Sequence, residues 1–177
     1  MLKLSKIFLL AASVSSAWLL AGLELNKETR LPIVYADNDA NPGTVSFLKL
    51  TAEKLQQAFK ETLGARLEIL PASKFKKTSA KAIFLGDCPL LRQTGKSSGS
   101  FKNFDCMIAE IDGSILLAGF DGHRTGSREK SARHGSYILG STRAAVIFME
   151  KFLGVRFLAP GNVGTDFLPR KKSCDPR

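Results

Sequence analysis

Two apolar runs, Phe104-Asp-Cys-Met-Ile-Ala-Glu-Ile111 and Ser114-Ile-Leu-Leu-Ala-Gly119, are separated only by Asp112-Gly113. An Asp-Gly pair supplies the positive-φ residues that a two-residue hairpin turn requires, so the two runs are antiparallel neighbours in a sheet. Every other element has to be arranged around that pair.

Upstream, Val45, Leu48, Ala52, Leu55, Ala58, Phe59 and Leu63 recur at helical spacing with Lys49, Glu53, Lys54, Gln56, Lys60 and Glu61 between them, and Gly64 closes the helix. Downstream, Ala144, Ala145, Ile147, Phe148, Phe152 and Leu153 give a second helix over 141–153, ended by Gly154. Short apolar runs at Arg30–Tyr35, Arg66–Leu70, Lys81–Gly86 and Val155–Leu158, bounded by turn residues, read as strands. Residues 87–103 are rich in Gly, Ser, Lys and Pro and predict a surface loop with one helical turn near Pro89–Arg92. Asp121–Gly135 is polar and basic and predicts an exposed loop. The expected fold is α+β, a mixed, largely antiparallel sheet with two main helices packed on it.

The first residues follow a different logic. Lys3 and Lys6 precede the apolar stretch Ile7–Val14, and Ser15-Ser16-Ala17 places small residues where a signal peptidase cuts. Residues 1–22 are thus expected to be a signal peptide and the protein to be exported, periplasmic or extracellular. Left uncut, the apolar stretch Ile7–Leu25 is roughly long enough to cross a bilayer as a signal anchor, which is the only membrane association expected. The chain has 177 residues, 44% of them apolar, and a formal charge of +10. Cleavage after Ala17 leaves 160 residues and a charge of +8. That suits one domain, spanning 30–169, followed by a basic polar tail at 170–177, and excludes a disordered chain or a polytopic membrane protein. An eight-stranded α/β barrel, at about 250 residues, does not fit.

Cys88, Cys106 and Cys174 are the cysteines. In an exported protein Cys88 and Cys106 are the better candidates for a disulfide; the alternative is that each is a small buried apolar residue. With two His and no CxxC or HExxH spacing, no metal site is expected, nor any cofactor. Glycosidase chemistry needs two carboxyls about 5 to 10 Å apart, but turn chemistry accounts for Asp37, Asp39, Asp112 and Asp121, so no catalytic residue is assigned. Asp121, His123, Ser127, Ser131 and His134 lack a G-x-S-x-G elbow. Gly95-Lys-Ser lacks the leading glycine of a phosphate loop. Arg156 sits in an otherwise apolar strand and is expected to point to an edge or to pair with an acid, with Glu150 a candidate. Arg124, Arg128, Lys130 and Arg133, with Lys74, Lys76, Lys77 and Lys81, make a candidate contact for an acidic or sulfated polysaccharide. Nucleic acid is not expected, because no aromatic platform is interleaved with these charges.

The segment Asp112-Gly-Ser-Ile-Leu-Leu-Ala-Gly119, the helix beginning Gly140-Ser-Thr-Arg, the run Phe152-Leu-Gly-Val-Arg-Phe-Leu-Ala-Pro-Gly161 and the exit Gly164-Thr-Asp-Phe-Leu-Pro169 resemble the amino-terminal domain of secreted glycoside hydrolases of the alpha-glucuronidase and beta-N-acetylhexosaminidase type. The basic stretch Asp121–Gly135 departs from that pattern. The resemblance implies a non-catalytic domain that packs on a following (β/α)8 barrel, which residues 170–177 cannot supply. The expected function is therefore a non-catalytic accessory domain, or truncated fragment, of an exported glycoside hydrolase involved in polysaccharide breakdown. Its partner would be a carbohydrate or the catalytic barrel. The alternative is a free-standing exported module that binds acidic or sulfated polysaccharide through the basic loop.

Overall fold

The computed structural model describes residues 25–38, 42–75, 81–102, 105–124, 136–158 and 165–167. The expected signal segment at 1–22, the tail at 170–177 and Cys174 lie outside them. In chain order the elements are β1 (Ile33–Tyr35), α1 (Pro42–Leu63), β2 (Ile69–Pro71), β3 (Ile83–Leu85), α2 (Pro89–Gln93), β4 (Cys106–Ile111) and β5 (Ser114–Gly119). Then come β6 (Asp121–Arg124), β7 (Ser136–Leu139), α3 (Gly140–Phe148), β8 (Val155–Phe157) and β9 (Thr165–Phe167). Helix α3 runs on as a π-helical turn at Met149–Leu153, which Gly154 ends in the left-handed region at φ 71°.

The fold is α+β with a mixed sheet, as expected. Five strands are ordered β2-β1-β3-β5-β4. The balance of pairing differs from the expectation. β1 runs parallel to β2 and β3, and β3 runs parallel to β5; in this sheet the antiparallel pair is β4 with β5. The other antiparallel pairs form two separate ribbons, β6–β7 and β8–β9. A hairpin announces itself in a turn dipeptide, whereas a parallel pair needs only a crossover long enough to return the chain, and no local residue pattern marks it. The hairpin itself is as read: Asp112 and Gly113 take φ values of 50° and 77°.

Side-chain alternation divides the core in two. Ile33, Ile83, Leu85, Ile115, Leu117 and Ile108 face one side of the sheet and pack with Leu48, Ala52, Leu55 and Phe59 of α1 and Ala144, Ala145 and Phe148 of α3. Val34, Phe84, Leu116, Ala118, Met107 and Ala109 face the other, under Leu90 and Leu91 of α2, Phe75 and Phe101. Phe75 meets Phe84 edge-on at 5.5 Å, so the crossover after β2 covers this second face in place of a helix. On the helix face, Phe59 and Phe148 stack at 6.2 Å and the Thr51 and Thr142 hydroxyls bond at 2.8 Å, fixing α1 against α3. Thr44 and Thr51 are buried in α1 although they are polar, because each lies on the arc of Leu48 and Leu55.

Asp121–Arg124 is strand where a loop was expected, and Asp121 is buried. Its carboxylate Oδ1 accepts from Ser141 N at 2.9 Å, capping α3, whose own preceding residue Leu139 makes no side-chain cap. The start of α3 is also held by backbone contact. Gly140 N donates to Phe120 O at 2.8 Å, and a Cβ built on Gly119 would lie 2.5 Å from the Gly140 carbonyl carbon. Gly119→Ala and Gly140→Ala should each lose about 2 to 3 kcal/mol in urea unfolding, because backbone cannot yield as a side-chain tip can. Gly99→Ala, whose Cβ would meet only Ser97 Oγ at 3.8 Å, should stay within about 1 kcal/mol of the unaltered chain.

Candidate functional site

The carboxyl ends of the parallel strands are where open α/β sheets usually place their ligands. Asp37 follows β1, Asp87 follows β3 and Asp121 follows β5. Each carboxylate is engaged in holding chain to chain. Asp37 accepts from both the N–H and the hydroxyl of Ser73, tying the exit of β1 to the turn after β2. Asp87 accepts from Ser98 N at 3.3 Å and Arg92 Nε at 3.4 Å. Ser98 Oγ in turn donates to Gly119 O and accepts from Asp121 N, and Asp121 caps α3. Asp112 is exposed in the β4–β5 turn at the opposite edge. The hydroxyls of Thr44 and Ser141, in the first turns of α1 and α3, are buried without a hydrogen-bond partner among the described residues. Among the described residues no group of three or more His, Cys, Asp and Glu is placed to hold a metal ion.

The basic candidates are partly located. Arg124 ends β6, opposite Ser136 of β7. Arg128, Lys130 and Arg133 lie outside the described residues, as do Lys76 and Lys77. The β6–β7 ribbon is held by Tyr137, which packs on Phe47 of α1 at 4.9 Å between ring centres. Lys74 sits in the turn after β2, at the same edge of the sheet from which the ribbon rises. Lys81 does not belong with this group. It precedes β3 at the amino end, with its ammonium against the β4–β5 turn at Gly113.

The expected Cys88–Cys106 disulfide is not present; both are free thiols. The physical reason is the sheet between them. Cys88 belongs to the cluster under α2, and Cys106 packs on the opposite, helix face. Cys88 is the small buried apolar residue of the alternative reading. Burial raises its thiol from 9.0 to about 11, only partly offset by the backbone N–H groups of Leu91 and Leu90. Burial also raises Cys106, with Arg143 pulling the other way.

A surface feature that periodicity did not single out lies along α1. Phe47, Leu50, Lys54 and Gln57, at spacings of three and four, form one stripe beside the buried face. Phe47 is 37% exposed and Leu50 50%. Farther along, Lys54 and Gln57 line a groove with Met149, Val155, Phe157, Thr165 and Phe167. Its volume of about 20 Å³ admits roughly one water. A groove this shallow suits a protruding side chain of another protein better than a sugar ring. Next to it Phe157 is 39% exposed and Leu158 73%. Arg156 is exposed, and the register of β8 with β9 puts Asp166 opposite it. Phe157 is two residues from buried Val155 and shares its side of the strand, so alternation carries no signal of its exposure.

No helix of the described residues is long and apolar enough to cross a membrane. Comparison with known families, with curated proteins and with solved structures finds no match to this chain.

Cys88 should resist iodoacetamide at pH 8 in the folded protein and react at once in urea. Because its folded-state pKa is raised, the neutral thiol's contribution to stability is fully present below about pH 9 and is lost as the pH climbs toward 11. Cys88→Ser should flatten that part of a stability-against-pH profile. Peptide mapping under non-reducing conditions should find no Cys88–Cys106 link.

Proposed function

We propose that this chain is a non-catalytic accessory domain, complete or as a fragment, of an exported glycoside hydrolase. On this reading the groove between α1 and the β8–β9 ribbon is the face it presents to a catalytic (β/α)8 barrel. The observation that carries it is the exposure of Phe157 and Leu158. They belong to the most distinctive run of the family resemblance, Phe152 to Gly161, yet they contribute little to this chain's own core. Val155, at the start of the same run, is buried. Residues that are apolar, motif-bearing and exposed suit an interdomain contact, where aromatic and aliphatic anchors carry most of the binding energy. The stripe Phe47-Leu50 extends the same surface along α1. The engagement of Asp37, Asp87 and Asp121 in loop and cap hydrogen bonds is consistent with a scaffold, since each is occupied in holding backbone.

The reading frame following the codon for Arg177 should encode a (β/α)8 barrel with paired carboxylates, and the two products should co-purify. The double variant Phe157→Ser, Leu158→Ser should keep its melting temperature and bind the barrel at least about tenfold more weakly. Undiminished binding by the double variant, or a downstream frame without such a barrel, counts against the proposal.

One observation favours a second reading, a free-standing module for acidic or sulfated polysaccharide. The β6–β7 ribbon, whose first strand ends at Arg124, is anchored by the Phe47–Tyr137 contact and the Asp121 cap. On this reading the chain is retained on a heparin column and released by salt. Arg124→Glu with Arg128→Glu should elute at markedly lower salt, as screening of a charged patch requires. Elution of the unaltered chain in the void at low salt would dismiss it.

A further inference from the structure

The two edges of the five-stranded sheet are finished differently. β2 offers three residues and ends on Pro71, which has no N–H to give. β4 is six residues long, pairs one-to-one with β5 without a bulge, and carries neither Pro nor Lys. A regular strand of that length is what sheet proteins avoid at an edge unless the edge is used. Its outward groups follow from the register. Ile115 N donates to Ala82 O, and Leu117 O accepts from Gly86 N, so these β5 residues face β3. Ser114, Leu116 and Ala118 therefore face β4, where Ile111, Ala109 and Met107 lie opposite them. The backbone N–H and C=O of Cys106, Ile108 and Glu110 point away from the sheet.

We propose that β4 pairs antiparallel with β4 of a second copy of this chain, about a two-fold axis at Ile108, joining the two sheets into one. Ile108 then lies opposite its own mate, and Cys106 lies opposite the partner's Glu110. The three outward-facing residues on each strand form about six backbone hydrogen bonds across the axis. The backbone pairing is self-complementary, as a two-fold contact requires, and it sets no two like charges of β4 opposite each other. Its one ionised side chain, Glu110, meets a neutral thiol, while the two Glu110 residues stand about 13 Å apart, four residue steps along the strand. The axis is perpendicular to the sheet, so the helix faces of both copies are on one side. Cys106 and the partner's Glu110 share that side. β4 has no residue in the groove of the proposed function, so self-association and barrel binding can fail independently.

The test uses the full chain. Directly opposite residues that exchange hydrogen bonds have Cα atoms about 5.5 Å apart, inside the roughly 4.4 to 6.8 Å range of a disulfide. Glu110→Cys, oxidised with diamide, which takes two electrons and two protons from each thiol pair, should give a covalent dimer. Peptide mapping should place the bond between Cys106 of one copy and the new thiol of the other. The unaltered chain should form no Cys106–Cys106 link, because that pair is offset by the same four steps. In sedimentation, the unaltered chain should associate reversibly. Glu110→Pro, which leaves the β4–β5 ladder whole because that N–H points outward, should associate at least about tenfold more weakly. A chain that stays monomeric at about 100 μM overturns the proposal and frees the edge for a strand of another protein. Failure of Glu110→Cys to cross-link through Cys106 overturns the register.

Discussion

The register of three-residue parallel strands is the constraint on which the rest of this structure depends. Ile33 aligns with Ile69 on one side and Ile83 on the other, and Ile83 aligns with Ile115, so a row of isoleucines crosses four strands. The next row, Leu70, Val34, Phe84 and Leu116, belongs to the opposite side. A slip of one residue in any strand exchanges the two rows and turns side chains fitted to α1 and α3 toward α2 and Phe75. With so few residues per strand, backbone hydrogen bonds alone would not choose between registers. The different widths of the two covers do, one built from two long helices and one from a five-residue helix and a crossover.

What the sequence disclosed followed from how local its signals were. The β4–β5 hairpin is written in two adjacent residues and α1 in a repeating pattern over six turns, and both stand where the pattern puts them. Gly64 and Gly154 end their helices for the same local reason. The strand order was not legible, because Ile33–Tyr35 and Ile83–Leu85 are short apolar runs that fit either a parallel or an antiparallel neighbour. The ribbon of β6 and β7 was hidden by composition: Asp121, Gly122, His123 and Arg124 have low strand propensity, and what holds them is the partner strand and the contact of Tyr137 with Phe47. The two cysteines were misjudged because flanking core segments says nothing about which side of a sheet a residue faces.

The site was legible to a smaller degree. Arg124 could be picked out by charge, and its backbone lies in the ribbon that follows β5, away from Lys81. The aspartates had been assigned to turns, which is right for Asp112 and incomplete for Asp37, whose carboxylate reaches Ser73, and for Asp121. A carboxylate can cap a helix that starts nineteen positions later in the chain, and nothing in a local window reveals that. The exposed stripe on α1 escaped for a related reason. Phe47 and Leu50 count toward hydrophobic periodicity whether they point to a core or to solvent, and only the packed structure tells the two apart.

The contact between Gly119 and Gly140 reaches beyond stability. Where two backbones touch, the chain leaves that contact at Gly119 and comes back to it at Gly140. The β6–β7 pair lies between these points with its ends closed by the fold, so lengthening the connection between the two strands adds only a slowly growing entropic cost. Such a position lets a scaffold acquire new surface chemistry by insertion. The fold has, in effect, a socket in which recognition can change while the core stays the same.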